Sequence, residues 1–260
     1  GVSAAPQAPR VQLMPFSQEI DSFQAGLGHR FLTAGDCAAV YKKILSLRDR
    51  WVEWEVSKAL NIRFHTLGAA TYLMPVREVY HAERQKTAEA LCAEFGGLYE
   101  SLFARIEELT GVACVNAAEL SPPGFHIYQG NEAAPTGLAA GGNIHLDLPH
   151  RLHYKASEVR HTLSVTVPIV LPSAGAGCYY WRDLPPGFQH GQAVPRDPAM
   201  LRWFDENKAF LAYEVGTMVL HDGMTYHQLA NPVKTTRTDW RITLQGHAVL
   251  LGDGKYHFFF

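Results

Sequence analysis

The 260-residue chain has no excess of either charge: 23 Lys and Arg against 25 Asp and Glu give a formal net charge of −2. A phosphate-binding surface normally needs a concentrated basic patch, and no run of Lys and Arg occurs, so nucleic acid is not an expected partner. Long hydrophobic runs are missing as well. None reaches the roughly 18 residues of a membrane span, and the opening GVSAAPQAPR lacks the basic-then-apolar order of a signal peptide. The cysteines, Cys37, Cys92, Cys114 and Cys178, form no C-x-x-C pair, which argues against a disulfide framework and a thiolate zinc site. A cytoplasmic setting without membrane contact is the expectation.

What is there is ordinary for one globular domain with a full-sized core: 47% of residues are hydrophobic and 18% charged. Residues 1–20 carry three prolines and read as an extended arm. Residues 21–111 are predicted to be mainly helical. Thr33 and Asp36 form a helix-start signal ahead of Ala39, Val40, Ile44 and Leu47. From about Ala82 to Leu109, apolar residues recur three or four apart, the mark of a helix with one buried face. Gly96 and Gly97 in its middle cost about 1 kcal/mol each relative to alanine, which predicts a kink or a close backbone contact there.

After Gly111 the texture changes to short runs with strand periodicity, separated by Pro and Gly. In His161–Pro172, Leu163, Val165, Val167, Ile169 and Leu171 alternate with a second face. In Trp240–Leu251, Arg241, Thr243, Gln245 and His247 share one side, which either meets solvent or lines a cavity. Helices followed by many strands predict an α+β, mainly β fold, with a helical layer supporting an antiparallel sandwich or barrel over 112–251 and a tail at 252–260. The stretches 129–142 and 183–209 are long enough to act as lids.

The 13 histidines are the compositional oddity, and spacing selects among them. In Gly141-Gly-Asn-Ile-His145-Leu-Asp147-Leu-Pro149, extended backbone points His145 and Asp147 to one side, where both can reach one ion. The segment Glu214–Pro232 reads as a strand, a turn at Asp222-Gly223, and a second strand bearing His227. Arg241 follows His227 by 14 residues.

H-x-D, a distal His about 80 residues later and an Arg on the next strand resemble the Fe(II)/2-oxoglutarate-dependent dioxygenase superfamily. The resemblance covers about residues 112–251 and implies a double-stranded β-helix, a cupin-like jelly roll. It implies His145, Asp147 and His227 as iron ligands, with Arg241 on the remote carboxylate of 2-oxoglutarate and Thr243 as a helper. It also implies Tyr128 as a hydrogen-bond partner of 2-oxoglutarate. The function so implied is hydroxylation of a small molecule, such as an amino acid or a natural-product intermediate, using O2 and releasing succinate and CO2. Related halogenating enzymes have a small residue where Asp147 stands, so hydroxylation is favoured. Two imidazoles and one carboxylate leave three octahedral positions open, enough for a bidentate oxo acid and O2.

Other residues compete for these roles. His221 precedes His227 by six positions, and His150, His153 and His161 follow the H-x-D motif in what reads as a mobile loop. Trp181 and Arg182 are candidates to flank substrate, with a packed barrel edge as the alternative. Two rival functions stay open: a cupin-type metal isomerase or dioxygenase that does not use 2-oxoglutarate, and a non-catalytic jelly-roll binding module.

Overall fold

Thr33 starts the first helix as its spacing predicts. Its side chain accepts from the Asp36 N–H, and the Asp36 carboxylate accepts from the Thr33 N–H, a reciprocal cap on α1 (Ala34–Ser46). The computed structural model describes residues 29–133, 143–231 and 234–260. The arm expected at 1–20 and most of the lid expected at 129–142 lie outside them. The long helix α2 runs Arg77–Thr110 and ends on Gly111, whose φ of 70° is the left-handed conformation that closes a helix. It passes through Gly96 and Gly97 unbroken, and a side chain added at either would meet nothing within 4 Å. The close contact expected there is not made.

The main sheet consists of β1 (His29–Arg30), β2 (Val52–Ser57), β3 (Ile62–Leu67), β4 (Cys114–Asn116), β5 (Gly124–Gln129), β6 (His161–Val170), β9 (Thr217–His221), β11 (Trp240–Leu250) and β12 (Tyr256–Phe259). Its order is β1-β9-β6-β11-β5-β3-β2, with β12 beside the far half of β11 and β4 parallel to β12. A second sheet of β7 (Gly177–Tyr180), β8 (Ala209–Ala212) and β10 (His227–Ala230) has the order β10-β7-β8.

Alternation decides which way each strand faces. Phe125 and Ile127 of β5, Leu163, Val165, Val167 and Ile169 of β6, and Ile242, Leu244 and Ala248 of β11 form one core with Cys37, Val40 and Ile44 of α1 and Leu91, Phe95, Tyr99, Leu102 and Ile106 of α2. The helices therefore cover one face of the main sheet. The opposite face looks toward the second sheet across a cavity. The fold is thus the expected one, α+β and mainly β: a jelly-roll arrangement with supporting helices.

The described part of 21–111 is mainly helical, with Val52–Ser57 and Ile62–Leu67 forming a hairpin within it that extends the main sheet through β5. One expectation needs correction. Residues 252–260 are not a tail. Tyr256 to Phe259 pair with β11, and Phe258, Phe259 and Phe260 are buried. The strand, turn and second strand expected around Asp222-Gly223 are present, with β9 pairing to β6 and β10 pairing to β7. That turn carries the chain from one sheet to the other. The stretch 183–209 also contains a helix, α3 (Pro198–Glu206), capped by Asp197 and anchored by buried Phe204.

Candidate metal centre

The segment bearing His145 and Asp147 lies along the free side of β10. His145 and His227 form one antiparallel bridge, each N–H donating to the other's carbonyl at 3.0 Å. Asp147 N–H donates to the Gly223 carbonyl at 2.8 Å. Residues opposite one another in an antiparallel pair share a face, and so does the residue two further along, which puts all three side chains on one side. Gly223 has a φ of 77°, and a side chain there would press on Asp147 at 3.1 Å. Glycine is needed both for the turn and for this close approach.

The three side chains converge. One ligand atom from each lies within 4.8 Å of the others. Nε2 of His227 is 3.3 Å and Nε2 of His145 is 3.5 Å from the same Asp147 oxygen, Oδ1. Both imidazoles are fixed by their far nitrogen: Nδ1 of His145 faces the Asn143 carbonyl at 2.7 Å, and Nδ1 of His227 faces the Thr225 carbonyl at 2.8 Å. A carbonyl only accepts, so each Nδ1 carries the proton and each Nε2 presents a lone pair toward Asp147. Such a set of two neutral imidazoles and a carboxylate suits a divalent first-row cation.

Charge couples the same groups. Burial alone would raise the Asp147 pKa, but the neighbouring imidazoles, His227 first, hold it well below the usual carboxylate range. Burial alone would lower His227, but the Asp147 carboxylate outweighs it and raises the imidazole. His221 differs. Its Nδ1 accepts from the Gly223 N–H at 2.9 Å, so the ring proton sits on Nε2, which faces Asp147 Oδ2 at 3.8 Å. A nitrogen presenting hydrogen is a partner for the carboxylate rather than a second ligand. Burial, then the nearby His227, pushes His221 down to about 3.

These residues line a cavity of about 840 Å3 between the two sheets. Arg241, Gln245 and His247 form part of its wall, so the polar face of β11 meets a cavity and not solvent. Arg241 is 4% exposed. Its Nη1 donates to Asn231 Oδ1 at 2.8 Å, and its guanidinium lies over the Tyr128 ring at 4.2 Å. Among the described residues no carboxylate lies within ion-pair distance of it, although buried charges are normally paired.

The remaining candidates divide. Tyr128 reaches the cavity and stacks on Phe64 at 4.7 Å. Thr243 does not line it, and its Oγ1 accepts from Gln245 Nε2 at 3.1 Å. Trp181 is 2% exposed and donates to the Phe204 carbonyl within the packing around α3. His153 contacts Thr71 Oγ1 at 3.0 Å, and His161 contacts the Tyr256 hydroxyl at 2.9 Å, both outside the cavity wall. The supposed loop after Asp147 is a 3-10 turn, Pro149–Leu152. Sequence reasoning passes over Asn231, Tyr213 and the hairpin residues Val56, Leu60, Ile62 and Phe64, all of which line the cavity. The alternation in Val52–Ser57 and Ile62–Leu67 is the signal for the hairpin.

No protein-family model matches the chain, and no curated protein matches it. Solved structures do. An N-substituted L-amino acid dioxygenase from Burkholderia ambifaria in complex with alpha-ketoglutarate is 14% identical, with 93% of this chain and 91% of that one covered and a TM-score of 0.47. HygX from Streptomyces hygroscopicus, with nickel, 2-oxoglutarate and hygromycin B bound, is 14% identical over 84% of this chain and 80% of that one, TM-score 0.42. The alpha-ketoglutarate-dependent epimerase SnoN from nogalamycin biosynthesis is 13% identical over 85% and 78%, TM-score 0.45. The overlap is loose at these scores, and what the site can do follows from its own donors.

Proposed function

We propose that the protein is a non-haem Fe(II), 2-oxoglutarate-dependent oxygenase that hydroxylates a small molecule. His145, Asp147 and His227 are its metal ligands, and Arg241 anchors the remote carboxylate of 2-oxoglutarate. The observation that carries this is the pairing, in one cavity, of a three-donor cluster with a buried Arg241 that has no carboxylate of its own among the described residues.

The donor set fits iron: two nitrogen ligands and one carboxylate occupy one face of an octahedron and leave the other open. Bound there, iron with 2-oxoglutarate and O2 supplies the oxidising chemistry, with succinate and CO2 as co-products. The chain's own residues do the rest. The Asn143 and Thr225 carbonyls keep the His145 and His227 protons on Nδ1, away from the metal side. The depressed Asp147 pKa keeps that ligand ionised. Arg241 offers a planar fork to a carboxylate, held in orientation by Asn231 below and Tyr128 against its face. Tyr128 is the hydrogen-bond partner of the same co-substrate, a role supported by its place in the cavity wall against Arg241.

Anaerobic dialysis against Fe(II), then exposure to air with 2-oxoglutarate and a metabolite panel, tests this. The expected result is one iron per chain and succinate formation, both lost in Asp147→Ala. Iron binding undiminished by that substitution removes the ligand assignment.

A further inference from the structure

The cavity beside the candidate ligands is polar inside and apolar at its mouth. Val56 in β2, Leu60 in the β2–β3 turn, Tyr72 and Leu152 line the cavity and also reach solvent, which marks them as its mouth. They are 54%, 43%, 47% and 54% exposed. Single apolar side chains on a surface are ordinary, but four of the eleven large exposed ones among the described residues converge on this opening. Ile62 and Phe64 continue the apolar wall inward.

Charge sharpens the picture. Among the described lining residues only Arg63, Asp147 and Arg241 carry a permanent charge. Arg63 is already matched, bonded to Glu53 with Glu55 at 3.9 Å. In the oxygenase, Asp147 is committed to metal and Arg241 to 2-oxoglutarate. No charged side chain among the described lining residues is then left to receive an ionic group of the substrate, and burying such a group unpaired is costly. The adjoining cleft against α3 shares Asn143, His145, Leu146 and Leu148 with this wall but is different in kind, with Arg196, Arg202, Asp205 and Lys208 in its lining.

We propose, resting on the oxygenase function above, that the substrate is an uncharged molecule with an apolar body that packs against Val56, Leu60, Phe64 and Leu152. A free amino acid or another small ion does not fit this wall. The volume of about 840 Å3 lies within the roughly 300–1,000 Å3 that encloses a drug-sized ligand.

Two probes of one shape and different charge decide it: 2-naphthamide and 2-naphthoate, titrated calorimetrically into protein loaded with Mn(II) and 2-oxoglutarate. The amide is expected to bind at least about tenfold tighter than the carboxylate. The double variant Val56→Asp/Leu60→Asp, altered only at exposed positions, should weaken the amide about tenfold and leave Mn(II) and 2-oxoglutarate affinity unchanged. Equal or tighter binding of naphthoate, no binding of naphthamide at millimolar concentration, or an insensitive rim overturns the proposal. Titration of 2-oxoglutarate itself reports separately on the oxygenase function. Failure there with the amide preference intact sinks that function alone.

Discussion

His145 and His227 exchange both backbone hydrogen bonds at 3.0 Å, and that single bridge turns two imidazoles 4.5 Å apart toward one oxygen of Asp147. The cluster is therefore set by strand geometry: positions i and i+2 of one segment, opposite a residue of its neighbour. Each imidazole is then locked by the carbonyl two residues before it.

Removing a ligand should cost far more than removing a neighbour. Asp147→Ala is expected to weaken Mn(II) or Fe(II) binding by more than about 100-fold, whereas His221→Gln, which alters a contact to the carboxylate, should cost about tenfold. Equilibrium dialysis under argon measures both. Equal losses would mean that His221 is itself a ligand.

Metal affinity should fall on acidification. His227 must be neutral to bind a cation, and without metal its pKa lies above the ordinary 6.5. Proton competition therefore begins above pH 6.5 and grows downward, about tenfold per pH unit for one displaced proton. Asp147 stays ionised across this window because its pKa is well below the carboxylate range. A binding constant flat from about pH 8 to about pH 5, a window spanning about 1.5 units on either side of the ordinary imidazole value, would contradict it.

Acid should also destabilise the fold through His126. Burial, then the nearby His247 and Arg241, holds its pKa at about 3 against 6.5 for a free imidazole. Below pH 6.5 the unfolded chain takes up a proton that the folded chain refuses, so stability is full above 6.5 and declines by about 1.4 kcal/mol per pH unit below it, until the folded imidazole itself titrates. Urea unfolding of His126→Gln should show that slope reduced by this amount.

The aromatic end of the chain is core. Phe258 is fully buried and packs against Phe103, centroids 5.0 Å apart. Phe258→Ala should cost about 3–5 kcal/mol in urea unfolding, the range for a buried phenylalanine. A loss below about 1 kcal/mol, typical of surface changes, would show that the last strand is not part of the cooperative core.

The candidate site was more legible in the sequence than the fold's edges. His145 and Asp147 could be put on one face by strand periodicity, and the order H-x-D, distal His227, then Arg241 on the next strand carried the resemblance that selected all four. Asn231 could not be selected in this way, since its contact with Arg241 depends on β10 ending where β11 begins to line the cavity. The β2–β3 hairpin is short and lies between two helical segments that mask its alternation. Tyr256–Phe259 has only four residues, too few for a period, and its burial comes from β11 and β4 on either side. Thr243 shares the face of Arg241 in sequence, yet it does not line the cavity and its hydroxyl accepts from Gln245, which does.

The most direct test of the site as a whole is a calorimetric titration of 2-oxoglutarate into four proteins: wild type with Mn(II), wild type without metal, and Arg241→Gln and Arg241→Lys with Mn(II). One molecule per chain should bind the metal-loaded wild type. Affinity should fall about 100-fold in Arg241→Gln, the worth of two charge-assisted hydrogen bonds, and by an intermediate amount in Arg241→Lys and in metal-free protein. Binding that is the same in all four, or absent from all four, contradicts a site in which His145, Asp147, His227 and Arg241 hold the co-substrate together.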